Sequence, residues 1–264
     1  AVMRFGGFLL ITRPKGWGYD AQASHVSRRA IMRKPVFWGI WLAFYINITC
    51  GLALISQEKD ILRDVLRQFP RFASMNPTAF AAATAGIVAT VLAVDSVFNT
   101  AGRIGFSTLS DHLKRRETSY VIIFVMSIAV CLLQIVTNSV DNALLWAVLA
   151  MLFLVNAGYG GGFSTLPVLL DQHFGTKTVS TTHGLTLSAW AFAGLSGNQL
   201  ASFVITHTPD QTHRYAALIP VLTVLFAIAL GSIWLVSRVK PLKAIKPVDP
   251  ASGTDTVAAQ PVMA

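Results

Sequence analysis

The sequence predicts an all-α fold, a polytopic membrane helix bundle. Three observations carry that reading. Of the 264 residues, 53% are hydrophobic and only 12% are charged, about half the charge of an average soluble domain. The mean hydropathy is +0.57. The apolar residues also gather into runs long enough to cross a bilayer, which takes about 20 residues per helix. A net charge of +9 would suit nucleic acid if it were concentrated. Here the bases are scattered over short connections between apolar runs, so no nucleic-acid surface is expected.

The elements follow in chain order. Residues 1–34 are expected to hold the end of a membrane helix, Ala1–Ile11, and a basic connecting segment, Thr12–Lys34, with Arg28, Arg29, Arg33 and Lys34 late in it. An 11-residue apolar stretch is too short to span, and no signal-peptide cleavage pattern follows it. The chain starts in mid-helix character without Met and reads as a fragment. Six spans are expected over 35–237, at Pro35–Ser56, Pro77–Gly102, Ser119–Thr137, Asn142–Leu170, Thr182–Thr206 and Tyr215–Val236. Pro35 and Pro77 suit helix starts, where the missing N–H has no intrahelical partner to lose. Pro167, late in the fourth span, predicts a kink or an early end. Between the first two spans, EKDILRDVLRQF places Ile61, Leu62, Val65, Leu66 and Phe69 at helical spacing and predicts a short amphipathic surface helix. The tail 238–264, with several prolines and few large apolar residues, is expected to be disordered.

Lys and Arg counts set the orientation. With 12–34 on the cytoplasmic side, alternation places 112–118, 171–181 and the tail there too. Those segments hold fourteen basic residues against five in the opposite loops, which favours a cytoplasmic C-terminus. Cys50 and Cys131 lie in separate apolar runs and read as neither disulfide nor metal ligands.

No nucleotide loop, metal cluster or nucleophile arrangement appears, so neither a cofactor nor an enzymatic site is expected. His173, His183, His207 and His213 fall near span ends and read as interfacial bystanders. GYGGGF at 158–163 sits inside an apolar run, where close helix packing or a hinge suits it better than a phosphate cradle. The informative polar residues lie inside the second span. Asp95, Asn99 and Arg103 stand at i, i+4 and i+8 and line one helix face over about 12 Å. Charges inside a membrane helix are costly and face a bundle interior or a wet cavity. This face therefore reads as lining a substrate path, or else Arg103 snorkels to the surface and Asp95 pairs within the bundle. Asn47, Asn156, Tyr159, Trp190 and Gln199 are second-rank candidates beside plain interhelical hydrogen bonding.

The stretch NTAGRIGFSTLSDHLKRR (99–116) resembles the loop between the second and third helices of the C-terminal half of major facilitator superfamily transporters. YGGGFSTLPVLLDQHFGTK (159–177), HGLTLSAWAFAGLSGNQLAS (183–202) and FLLITRPKGW near the start resemble the oxalate/formate antiporter family within that superfamily. Lys114 stands where the loop pattern favours glycine. The resemblance implies the C-terminal six-helix half of a twelve-helix carrier of a small organic anion, working as antiporter or symporter in a bacterial inner membrane. Its partners would be the lipid bilayer and an N-terminal half. It makes Arg103 the anion-binding candidate, and the polar residues read above, Asn99, Asp95, Asn156, Tyr159 and Trp190, are the candidates to bind substrate with it. It makes Asp111 a gate residue supported by Arg115 and Arg116, with Asp171 in the matching loop. The absence of Lys and Arg from 178–213 favours a monocarboxylate over a dianion in this half, and Asp95 is a candidate proton carrier. A membrane interaction subunit without transport of its own is the alternative reading.

Overall fold

The structure, a computed structural model, describes residues 28–137, 142–209 and 215–239. Most of the expected N-terminal segment and almost all of the tail lie outside these residues, as does His213. Six long helices occupy the six expected spans. They are α2 (Pro35–Arg67), α4 (Pro77–His112), α5 (Glu117–Val136), α6 (Asn142–Phe174), α7 (Val179–His207) and α8 (Leu218–Arg238). Two short helices, α1 (Arg28–Met32) and α3 (Pro70–Ala73), precede α2 and α4. Five of the long helices are long and apolar enough to cross a membrane. The sixth, α7, is long enough but richer in Ser, Thr and Gly.

Helix starts follow the sequence closely. Pro35 and Pro77 occupy first-turn positions, and Asn76 caps α4 by accepting the N–H of Ala79 at 2.8 Å. Several ends differ from expectation. No separate surface helix forms after Ser56; α2 runs on to Arg67. Its buried positions Leu54, Glu58, Ile61, Leu62, Val65 and Leu66 continue one stripe at helical spacing, so nothing interrupts the helix before Pro70. α4 continues through the stretch that resembles a loop and ends at His112. Its 36 residues make about 54 Å, far more than the roughly 30 Å hydrocarbon layer. The connection to α5 shrinks to 113–116. It needs no left-handed residue, because Gly175 alone among the described residues has positive φ, so Lys114 fits where glycine was favoured. α6 passes through Pro167 without ending.

α2 is the hub and packs against α6, α7 and α8, while α4 pairs with α6 and α5 with α6 and α8. The α2–α7 seam is made of small residues. Ala189, Ala193, Gly197 and Ala201 are buried on α7, which lets two backbones approach where the lipid supplies no hydrophobic drive between helices. The central core joins Ile40, Phe44, Tyr120, Phe124, Met151, Leu166 and Phe226. Cys50 and Cys131 are buried free thiols within it.

Candidate functional site

The site is built where α4 crosses α6, and the crossing depends on glycine. A Cβ on Gly102 would strike the backbone of Ala157, and one on Gly160 would strike the carbonyl of Asn99. Each helix thus presents a bare backbone to the other. Ser164 strengthens the contact by donating to the Arg103 carbonyl at 2.9 Å. The glycine run 158–163 is therefore a packing surface. Gly162 faces the side chain of Asn47 and Gly161 faces Phe106.

Close approach brings polar side chains from the two helices into one ladder. The Asn156 amide of α6 donates to the Asp95 carboxylate. Its oxygen accepts from Asn99 Nδ2 at 2.8 Å. The Asn99 oxygen in turn accepts from Arg103 Nε at 3.2 Å. Asp95 and Asn156 are buried and Arg103 is exposed, so the ladder runs from the bundle interior to an open face. One amide bonds to a carboxylate at one end and another to a guanidinium at the other. Such an alternation fixes both amide orientations, since a flipped amide would set like groups against each other.

At the open end the guanidinium meets aromatic rings. Arg103 lies over Phe163 at 5.5 Å. Phe163 is edge-on to Tyr159 at 5.4 Å and to Trp190 of α7 at 5.9 Å. Arg103 makes no ion pair among the described residues. The side chain is exposed beside an aromatic wall, an arrangement suited to a carboxylate with a small apolar body. Trp41 and Tyr45 of α2 stack at 5.3 Å and donate to Ser188 and Ser196 of α7, which fixes α7 beside this wall.

The structure thus joins Asp95, Asn99, Arg103 and Asn156 directly, and brings Tyr159 and Trp190 in through Phe163. Asn47 stands apart from the ladder and donates to the Gly158 carbonyl at 3.3 Å. Gln199 is exposed. At the other end of α4, Asp111 is exposed and no described hydrogen bond or ion pair involves its side chain. Arg115 donates to the Ser237 carbonyl of α8, and the Arg116 N–H donates to Gln172 at 2.8 Å. The Asp171 carbonyl accepts from Gly175 at 2.8 Å.

His173 corrects one expectation. It is no interfacial bystander, because its ring is fully buried and its Nε2 lies 2.9 Å from Glu117 Oε1. His183 is half-buried and His207 exposed. Two residues escaped the sequence reading altogether. Glu117 opens α5 beside the basic run, and no motif or spacing singled it out. Glu58 sat in what read as a surface segment, although Asn47, Gly51, Leu54 and Glu58 follow at helical spacing on one face of α2 and could have revealed it.

A bundle in which five helices are long and apolar enough to cross a membrane is that of a polytopic membrane protein. The chain belongs to the Major Facilitator Superfamily, whose family model matches residues 5–198. It is similar to the oxalate:formate antiporter of Oxalobacter formigenes, at 24% identity over 220 residues. That match covers 83% of this chain and 47% of the antiporter, so the chain spans about half the length of that relative.

Proposed function

We propose that the chain serves as one six-helix half of a secondary carrier for small organic anions, most suitably monocarboxylates such as formate, lactate or pyruvate, with oxalate as the dianionic case. It is not an enzyme in this reading. The observation that carries the proposal is Arg103, an unpaired guanidinium oriented by Asn99 against the Phe163 ring. Trp190 and Tyr159 close the wall, and Asn156 holds Asn99 in place. The similarity to an oxalate:formate antiporter supports an anionic substrate. One fixed cation balances one carboxylate; a dianion would draw its second cation from another part of the carrier. The two halves would rock about this midplane site. The gate would lie at the 113–116 connection with Asp111, Arg115, Arg116 and Asp171, on the cytoplasmic side of a bacterial inner membrane, with the C-terminus on the same side as the Lys- and Arg-rich loops.

The test is uptake of labelled formate, lactate, pyruvate and oxalate by the complete native carrier in proteoliposomes. Arg103→Lys keeps a charge but loses the planar fork, so it is expected to insert normally and to lose most transport. Arg103→Gln is expected to abolish it. Full uptake with Arg103→Gln at normal expression would return Arg103 to a structural, snorkelling role.

A further inference from the structure

Where the start of α2 meets the end of α8, the two helices touch closely. A Cβ on Gly39 would strike Val236, and Ser232 Oγ donates to the Gly39 carbonyl at 2.9 Å. Beside this contact lies a groove of about 160 Å³, lined mainly by Pro35, Val36 and Gly39 of α2 and by Leu235, Val236 and Val239 of α8. It is not sealed: Leu235 is 61% exposed and Val239 40%.

The surface around the groove is a lipid boundary. From Pro220 to Leu235 no exposed residue of α8 carries a polar side chain, and the same holds for every exposed residue of its neighbour α5. A helix face that meets water or a wet interface keeps some polar groups, as α4 and α7 do with Arg103 and Gln199. The groove therefore opens toward acyl chains. It is too small for a further helix, which is about 10–12 Å across.

The charge at the rim has one sign. Arg33 and Lys34 lead into Pro35, Lys114 and Arg115 lie in the 113–116 connection, and Arg238 stands between Ser237 and Val239. Arg115 donates to the Ser237 carbonyl, which brings that connection to the end of α8. Arg238 lies over the Trp234 ring at 4.6 Å, a pairing of ring and cation that suits the border between acyl chains and water. α1, α2 up to Gln57, the connection and α8 contain no Asp or Glu. Among the described residues the acids at this end are Asp111, Glu117 and Asp171. Glu117 is buried against His173, and the other two belong to α4 and α6, which do not line the groove. None of the rim cations has an ion pair among the described residues.

We propose that this groove is a binding site for one anionic phospholipid. An acyl chain lies along Gly39, Leu235 and Val239, and the phosphodiester sits among Lys34, Arg115 and Arg238, two of which offer the planar fork that suits phosphate oxygens. Basic pockets between membrane helices take anionic headgroups in this way. A free phosphate would use the cations and leave the groove unfilled. A zwitterionic lipid would fill the groove but bring its own cation to a rim without an acid to receive it. The anionic lipid answers both features. Bound there, it ties α2 to α8 and, through Arg115, to the connection that leads into α5. The site is independent of Arg103, which lies on α4 outside the groove.

The experiment is native mass spectrometry of the complete native carrier, stripped of lipid in detergent and titrated with phosphatidylglycerol or with phosphatidylcholine of the same chains. Phosphatidylglycerol is expected to be retained about tenfold better. Lys34→Gln, Arg115→Gln and Arg238→Gln combined are expected to remove that preference. Lys59→Gln, Arg71→Gln and Lys177→Gln combined change the net charge equally but away from the groove, and are expected to keep it. Val239→Phe fills the groove and leaves every cation in place, so it is expected to weaken retention while circular dichroism shows the helices intact. Equal retention of the two lipids, equal loss in the two triple variants, or full retention in Val239→Phe would overturn the proposal. So would displacement of phosphatidylglycerol by an equal concentration of glycerol phosphate, which would make this a site for free phosphoesters.

Discussion

Asp111 is placed badly for the helix that carries it. It lies in the last turn of α4, which ends at His112, where the carbonyl end of the helix dipole disfavours negative charge by about 0.3–1 kcal/mol. Its side chain is exposed and has no described partner to offset that cost. Removing the charge is therefore expected to leave thermal stability unchanged or slightly raised. If Asp111 pairs with another helix start in the closed carrier, as the proposed gate requires, Asp111→Asn also opens the cavity at that end of the bundle. Faster labelling of cysteines introduced there, at equal or higher stability, is the expected result. Unchanged labelling on both sides would remove Asp111 from the gate. At this scale the sequence was partly legible. The line Asp95, Asn99, Arg103 could be read from spacing alone, because helical spacing fixes a shared face. Glu58 was harder to see, because its spacing from Asn47, Gly51 and Leu54 counts only if α2 stays helical past Ser56, and the charges around it imitate a solvated segment.

The helices meet at the 113–116 connection through bonds that no local pattern announces. Glu117 and His173 are 56 residues apart and form a pair whose side chains are 3% and 0% exposed. The pair ties the start of α5 to the end of α6, and the Arg116–Gln172 bond lies beside it. Glu117 Oε2 and His173 Nδ1 have no further partner among the described residues, so the one bond between the side chains matters more to each. Breaking a buried pair by removing one member costs about 3–5 kcal/mol. Glu117→Ala is expected to lower the melting temperature of the detergent-purified protein strongly. Glu117→Gln keeps a hydrogen-bonding partner for the ring and is expected to lose less. Equal melting temperatures for Glu117→Ala and the unaltered protein would show that the pair adds no stability. Helix starts were legible from Pro35, Pro77 and Asn76, since those residues act within one turn. The ends of α2 and α4 were not. α4 persists through small and charged residues that resemble a loop, because no proline lies between Thr78 and His112 and α6 covers Gly102 from the side.

The bundle leaves one group of helices poorly covered. Only 22% of the most apolar window of α4 is buried, against 61% for α2. Large side chains stand out from it and from α7, among them Val97, Ile104, Leu195 and Phe203, each more than 60% exposed. Lipid can cover apolar side chains, and the exposed Ser96 and Thr100 hydroxyls donate to carbonyls of their own helix, but lipid cannot satisfy the exposed Arg103 of α4 and Gln199 of α7. A mixed surface of this kind is consistent with the proposed second half packing on it, since charged groups in membrane helices face a bundle interior or a wet cavity. The polar ladder opens on that surface, so the proposed anion site has one wall of aromatic rings and, among the described residues, no facing one. A carrier that alternates access needs both walls, because closing one side while opening the other requires two bodies that move against each other. Residues 1–264 alone are therefore expected to insert into proteoliposomes as a helical bundle and to show no saturable uptake of formate, oxalate, lactate or pyruvate. Circular dichroism of the reconstituted chain separates a folded but inactive half from an unfolded one. Saturable uptake by the folded chain alone, abolished by Arg103→Gln, would show that these helices complete the site among themselves or by pairing with a second copy.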